Sequence, residues 1–246
     1  MKAYYRIGDG SMRLKQKKIF ISIAISAILI GGYYTLSYWN LIPRKTYTAK
    51  DFGIETIKSE KDYNKNGVDD YTDILLGARE DAKNKPKYRS AYYEGGYPPE
   101  NEGVCTDVVW RAFKNAGYYL KDMVDEHIKN NLSMYPRVAG KPDKNIDFRR
   151  VSNLKAFFDS NAVSYSLDPY KISEWQPGDI VIFGKNYSHI AIVSDKRNSR
   201  GVAYIIHNSA QPVREEDALI KYSKREPITG HYRFEKSAVY STLKHK

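Results

Sequence analysis

The sequence predicts an α+β fold, a helix-borne cysteine packed on an antiparallel sheet, preceded by one transmembrane helix. Three observations carry that prediction. Apolar residues recur at helical spacing in the first two thirds of the chain, and from Pro177 onward the period falls to two. Ahead of both, residues 19–43 contain no charged side chain. Helices first and strands afterwards is the α+β order. The 246 residues are enough for one sizeable domain plus an appendage. A hydrophobic content of 41% allows a packed core, and 28% charged with 13% aromatic residues argues against wholesale disorder. The 22 tyrosines suit half-buried strands and also sugar rings or peptide backbones.

Taken in order, residues 1–18 are a basic tail in which Arg13, Lys15, Lys17 and Lys18 stand directly before the apolar run. Residues 19–43 are read as a transmembrane signal anchor, with Tyr33, Tyr34, Tyr38 and Trp39 near the far end as an aromatic belt. Crossing a bilayer takes roughly 20 apolar residues, and positive residues before the span put the N-terminus in the cytoplasm and the remainder outside. A cleaved signal peptide is the rival reading. Its apolar region runs only about 7–15 residues, and no clean small-x-small site precedes the domain, so an uncleaved anchor in the cell membrane is expected. The tail supplies +5 of the net +11 charge, and residues 19–246 supply the other +6. That outer excess favours anionic envelope polymers or lipid headgroups as partners, and no nucleic-acid motif is present.

Residues 44–61 read as a polar linker. Residues 62–73 form a calcium-loop candidate, with Asp62, Asn64, Asn66, Val68, Asp70 and Asp73 at positions 1, 3, 5, 7, 9 and 12 and Gly67 at 6. Position 12 is Asp instead of the longer Glu, position 8 lacks the usual apolar residue, and no entering helix precedes the loop. An acidic turn capping a helix from residue 74 is the competing reading. If calcium binds, its role is structural, pinning the linker, and no cofactor is expected for catalysis. The main domain is placed at 74–236 and a tail at 237–246. Residues 84–103 form an irregular Pro/Gly/Tyr loop, 104–120 a helix, 121–150 helix then loop, and 151–158 a short helix. Strands are expected at 179–183, 188–194, 202–207 and 230–234.

Cys105 is the only cysteine, so it forms no intramolecular disulfide. Taken singly, a cysteine on an apolar helical face is most often packing. At a helix start, however, a thiol is lowered toward the thiolate that attacks. His189 shares a strand face with Ala191 and Val193, and His207 shares one with Ala203 and Ile205. Adjacent antiparallel strands would let His207 orient His189 and His189 activate Cys105.

The segments Gly103-Val104-Cys105-Thr106-Asp107-Val108-Val109, Asn145 to Leu154, Trp175-Gln176-Pro177-Gly178-Asp179-Ile180-Val181, His189 to Asp195, Ile206-His207-Asn208 and Gly230-His231-Tyr232-Arg233 together resemble the bacterial domain of unknown function 1287. That family is similar to the NlpC-type branch of papain-like cysteine peptidases and amidases, many of which cut peptidoglycan stem peptides. The resemblance covers about residues 70–235. It implies a papain-like domain in which Cys105 is the nucleophile, His189 the general base and His207 the polar third member. The Cys105 N–H is the natural oxyanion donor. Asp107, Arg150 and His231 are taken as substrate-binding candidates, Asp107 for an amine and Arg150 for a carboxylate, against structural ion pairing and dipole roles. Arg149 carries a motif position without an assigned role.

The function expected is therefore a membrane-anchored, extracytoplasmic cysteine hydrolase of amide bonds, a peptidase or amidase acting on cell-wall peptidoglycan peptides or another envelope polymer. Three alternatives stay open: a thiol acyltransferase or esterase on lipid-linked substrates, a non-catalytic wall-binding module, and a zinc site built from Cys105, His189 and His207.

Overall fold

The computed structural model describes residues 8–235, and the chain divides after Pro43 into two units. The first holds one long helix, α1 (Gly8–Tyr38), whose segment Arg13–Tyr38 is 26 residues long and apolar enough to cross a membrane. It ends short of residue 43, where Asn40 takes a left-handed conformation (φ 53°) ahead of Pro43. The first seven residues of the basic tail and the expected tail at 237–246 lie outside the described residues.

The second unit is α+β. Helices α2 (Asp70–Asn84), α3 (Cys105–Asn115), α4 (Leu120–Asn130) and α5 (Val151–Asn161) come first, with a short parallel pair, β1 (Lys87–Tyr88) and β2 (Glu102–Gly103), before α3. Then follow β3 (Val163–Ser164), β4 (Ile180–Phe183), β5 (His189–Arg197), β6 (Ala203–Ile206), β7 (Glu215–Glu216), α6 (Leu219–Ser223) and β8 (Ile228–Arg233). These six strands form an antiparallel sheet in the order β3-β8-β4-β5-β6-β7.

The expected strands are present, but the last does not continue from the third. β8 returns across the sheet to pair with β4, with Val181 opposite His231. The expected helix at 104–120 is two helices. α3 stops at Asn115, Gly117 turns with φ 83°, and the Tyr118 N–H closes on the Phe113 carbonyl before α4 begins. α2 begins at Asp70 instead of residue 74, because Asp69 caps it by accepting the Thr72 N–H. Gly77 lets α2 and α3 touch: a Cβ there would fall 2.6 Å from the Asn115 Cβ.

The stretch 44–61 is not a free linker. Tyr47 and Arg197 exchange backbone hydrogen bonds at 2.9 and 2.7 Å, Ala49 is buried, and the Gln176 side chain bonds Glu55 and Ile57. Its aromatic and small residues pack onto the domain, a signal its lysines conceal. The sheet buries both faces. Ile180, Ile182, Ile190, Ile192 and Ile206 pack against α3 and α5, while Val181, Phe183, Ala191, Val193 and Ile205 pack against Trp175 and Leu219.

Candidate functional site

Val104 is extended (φ −124°), and Asp107 reaches back to accept its N–H at 2.7 Å, so the helix begins at Cys105. The Cys105 N–H thereby belongs to the first turn, where backbone donors have no intrahelical acceptor. α3 packs on β5, and the Ile190 N–H points at the Cys105 sulfur. Only 7% of Cys105 is exposed, and burial pushes its thiol up to about 11, against the pull of the Ile190, Thr106 and Cys105 N–H groups. The thiol lowered by its helix terminus is therefore corrected: desolvation outweighs the backbone donors.

His189 opens β5 and His207 follows the last residue of β6. Val193 pairs with Ile205 and Ile192 with Ile206, a register that continues to put His207 across from Ala191, on the face His189 shares. The His189 Nε2 and His207 Nδ1 atoms are 3.0 Å apart. Burial lowers both imidazoles, His189 strongly, and each is neutral at pH 7. Tyr222 of α6 stacks on His189 (centroids 5.0 Å, 17°), meets His207 edge-on, and hydrogen-bonds Ser209 Oγ at 2.7 Å. Cys105 adds to the rise in the Tyr222 phenol, which burial dominates, so the thiol lies within electrostatic reach of the aromatic wall over His189.

Cys105 and His189 both border the start of β5, the thiol beside the Ile190 N–H and the imidazole stacked on Tyr222. Cys105 packs with Ile190 and Ile192, whereas His189 belongs to the Ala191 face. Among the described residues neither ring nitrogen of His189 bonds the sulfur. The two histidines bond each other, and among the described residues no group of three or more His, Cys, Asp or Glu residues is placed to hold a metal.

Three residues were given no role by the sequence reading. Asn208 donates to the Pro86 and Gly103 carbonyls at 3.2 and 3.1 Å, tying the end of β6 to the strand that leads into Cys105. Glu216 on β7 places Oε1 3.1 Å from His207 Nε2. Tyr222 is the third. Asn208 stood next to a singled-out histidine, but β7 and α6 are too short for a periodic signal.

The substrate-binding candidates are engaged within the fold. Asp107 is wholly buried and accepts from Arg149 Nε and Nη2 at 2.7 and 2.9 Å, from Trp110 Nε1 and from Val104 N, so it is a helix cap and ion-pair partner. Arg149 thereby acquires its role. His231 is buried on β8 between Asp179 Oδ2 (3.0 Å) and the Ser166 carbonyl (2.8 Å) and stacks on Trp175 at 3.7 Å, which makes it a core residue. Arg150 is partly exposed and donates to Asp147 at 2.9 Å.

In the 62–73 loop, Asp62 accepts the Asn66 and Gly67 N–H groups, and the Asn64 and Asn66 amides converge on Asp73 Oδ2 at 2.8 and 3.0 Å. Asp70 departs from its expected position as a ligand: it accepts from Tyr63 N and the buried Tyr118 hydroxyl. Asp62, Asn64, Asn66, Asp73 and the Val68 main chain are left as the groups that could hold a cation.

Residues 75–234 match the family described as a domain of unknown function, DUF1287. The Escherichia coli (strain K12) protein YijF, described as uncharacterized, is 36% identical over 171 residues, 65% of this chain and 80% of that protein. No solved structure matches. The family match runs unbroken from α2 to β8 and takes in Cys105, His189 and His207 together: the chain belongs to the DUF1287 family.

Proposed function

We propose that the protein is a membrane-anchored, extracytoplasmic cysteine hydrolase with an NlpC-like, papain-like site, cleaving amide bonds in the peptides of cell-wall peptidoglycan or a related envelope polymer. One observation carries the reading: the thiol at the start of α3 abuts the first residues of β5, where an imidazole is held by a second histidine. In the proposed reaction His189 takes the Sγ proton as sulfur bonds to the carbonyl carbon, and the Cys105 N–H receives the oxyanion. His189 then returns the proton to the departing amine. Water, deprotonated by His189, cleaves the thioester and restores the thiol.

The raised thiol pKa favours a second reading, a non-catalytic polymer-binding module that retains its cysteine as core. Digestion of purified peptidoglycan by the full chain, with mass analysis of the products, separates the two. New peptide termini with wild type and none with Cys105→Ala support the hydrolase, whereas pull-down of the polymer by both proteins without cleavage supports the binding module. Recovery of chelator-lost activity by zinc would overturn both in favour of metal chemistry.

A further inference from the structure

The thiol-hydrolase reading needs a lone pair on His189 facing away from His207, and nothing within the pair of histidines decides which nitrogens carry protons. His189 Nε2 and His207 Nδ1 face each other at 3.0 Å, and either could donate. The decision lies one strand further out. His207 is completely buried, and Glu216 Oε1 sits 3.1 Å from its Nε2. Glu216 is itself only 2% exposed. A carboxylate only accepts, so a bare imidazole nitrogen against it would set lone pair against lone pair in a desolvated pocket.

We propose that Glu216 is the positioning residue of this site, fixing His207 as the Nε2–H tautomer and, through it, His189 as the Nε2–H tautomer whose Nδ1 is the proton acceptor. The chain of inference is short. Nε2–H of His207 donates to Glu216, which leaves Nδ1 of His207 as an acceptor. That nitrogen takes the Nε2–H of His189, and the free lone pair of His189 falls on Nδ1. The surroundings hold the arrangement in place. Gln211 Nε2 donates to the His207 carbonyl at 3.0 Å and lies 3.2 Å from His207 Nδ1, where a second N–H would reinforce the accepting nitrogen, and 3.1 Å from its Nε2, where the Glu216 carboxylate is the acceptor that competes; Tyr222 packs on both rings. Arg214 is buried, its guanidinium held by Gln211 Oε1 and the Pro86 carbonyl, and its charge and that of Lys221 act on the same pocket.

The proposal rests on the hydrolase reading for its consequence but not for its test. Long-range nitrogen–proton NMR of the full-length protein at pH 7.5 reads the tautomers directly. Both His189 and His207 are expected as Nε2–H in wild type. Glu216→Gln, which offers His207 a donor as well as an acceptor, is expected to give mixed or Nδ1–H tautomers, and Glu216→Asp to retain Nε2–H. If His207 is Nδ1–H in wild type, the proposal is overturned without recourse to any variant. Where wild type cleaves polymer, Glu216→Gln is expected to lose about 10–100-fold in kcat at unchanged KM, the order seen for partners that orient metal-ligating histidines, with Glu216→Asp recovering part of it. Unaltered kcat in a folded Glu216→Gln protein overturns the proposal. A wild type that cleaves nothing yet shows the expected tautomers sinks the hydrolase reading and keeps the role of Glu216.

Discussion

Burial of Cys105 makes a prediction that can be worked through in numbers. With its thiol pushed up to about 11, the thiolate fraction at pH 7.5 is about 3 × 10⁻⁴, against about 0.1 for an ordinary cysteine near 8.5. Alkylation follows the thiolate, so on thiolate fraction alone native protein should react with iodoacetamide on the order of 300-fold more slowly than the same chain unfolded in urea, an amount the greater nucleophilicity of a more basic thiolate partly offsets. The 7% exposure of Cys105 adds a steric delay in the same direction. The assay is intact-mass measurement of carbamidomethylation between pH 6.5 and 10.5. The rate should rise about tenfold per pH unit with no plateau until above pH 10. A plateau reached below pH 8 would refute the reasoning, because it would mean a thiolate–imidazolium pair already formed in the resting site.

Three further outcomes are expected. Arg149→Ala removes the bidentate partner of the fully buried Asp107 and should destabilise the domain by about 3–5 kcal/mol in urea melts, and an unchanged midpoint would contradict the cap-and-pair role. His189 and His207 are held neutral by burial, so their contribution is complete above the unfolded-state value near 6.5 and is lost as pH falls below it, by up to about 1.4 kcal/mol per histidine per pH unit. Asp125, whose carboxyl burial pushes up to about 6, acts with the opposite sign, so the test compares the drop in melting temperature from pH 7.5 to 5 in wild type and His189→Gln; equal drops would rule the histidine out as a cause. Calcium held by Asp62, Asn64, Asn66 and Asp73 at a dissociation constant near 0.1 mM would stabilise by about 1.4 kcal/mol at 1 mM, a rise of roughly 3–6 °C after EGTA treatment. No rise leaves the loop a hydrogen-bonded cap of α2.

What the sequence reveals divides by range. The period-two runs at 188–194 and 202–207 locate His189 and His207 on one face because alternation is a local property, and the paired register then joins them. Cys105 at the head of a helix is legible from its apolar stripe. The long-range partners are not. Arg149 stands 42 residues from Asp107, and nothing local marks it as the charge that makes Asp107 a buried cap. His231 looked like a substrate-binding residue in a motif, yet its ring is sandwiched in the core between Trp175 and the Asp179 network. The thiol pKa fails for a related reason. Helix position argues downward and burial upward, and only the packing of α3 on β5 says which is larger.

Burial acts on thiol and imidazole with opposite signs but one consequence: both rest in neutral form. Moving the proton from a thiol near 11 to an imidazole below 6.5 costs at least about 6 kcal/mol before any bond to carbon forms. Turnover at 1–10³ s⁻¹ corresponds to a barrier of about 13–17 kcal/mol, so that step would leave at most about 7–11 kcal/mol for attack. The same figure sets the demand on the site. In the proposed reaction, proton loss from sulfur would have to be coupled to carbonyl attack, with charge collected by the Cys105 N–H, because a free thiolate beside a free imidazolium is too costly to accumulate. A histidine whose accepting nitrogen is fixed in advance lowers that demand, since no tautomer exchange precedes the transfer. Glu216 belongs to the proposed chemistry on that ground, although it never touches the sulfur.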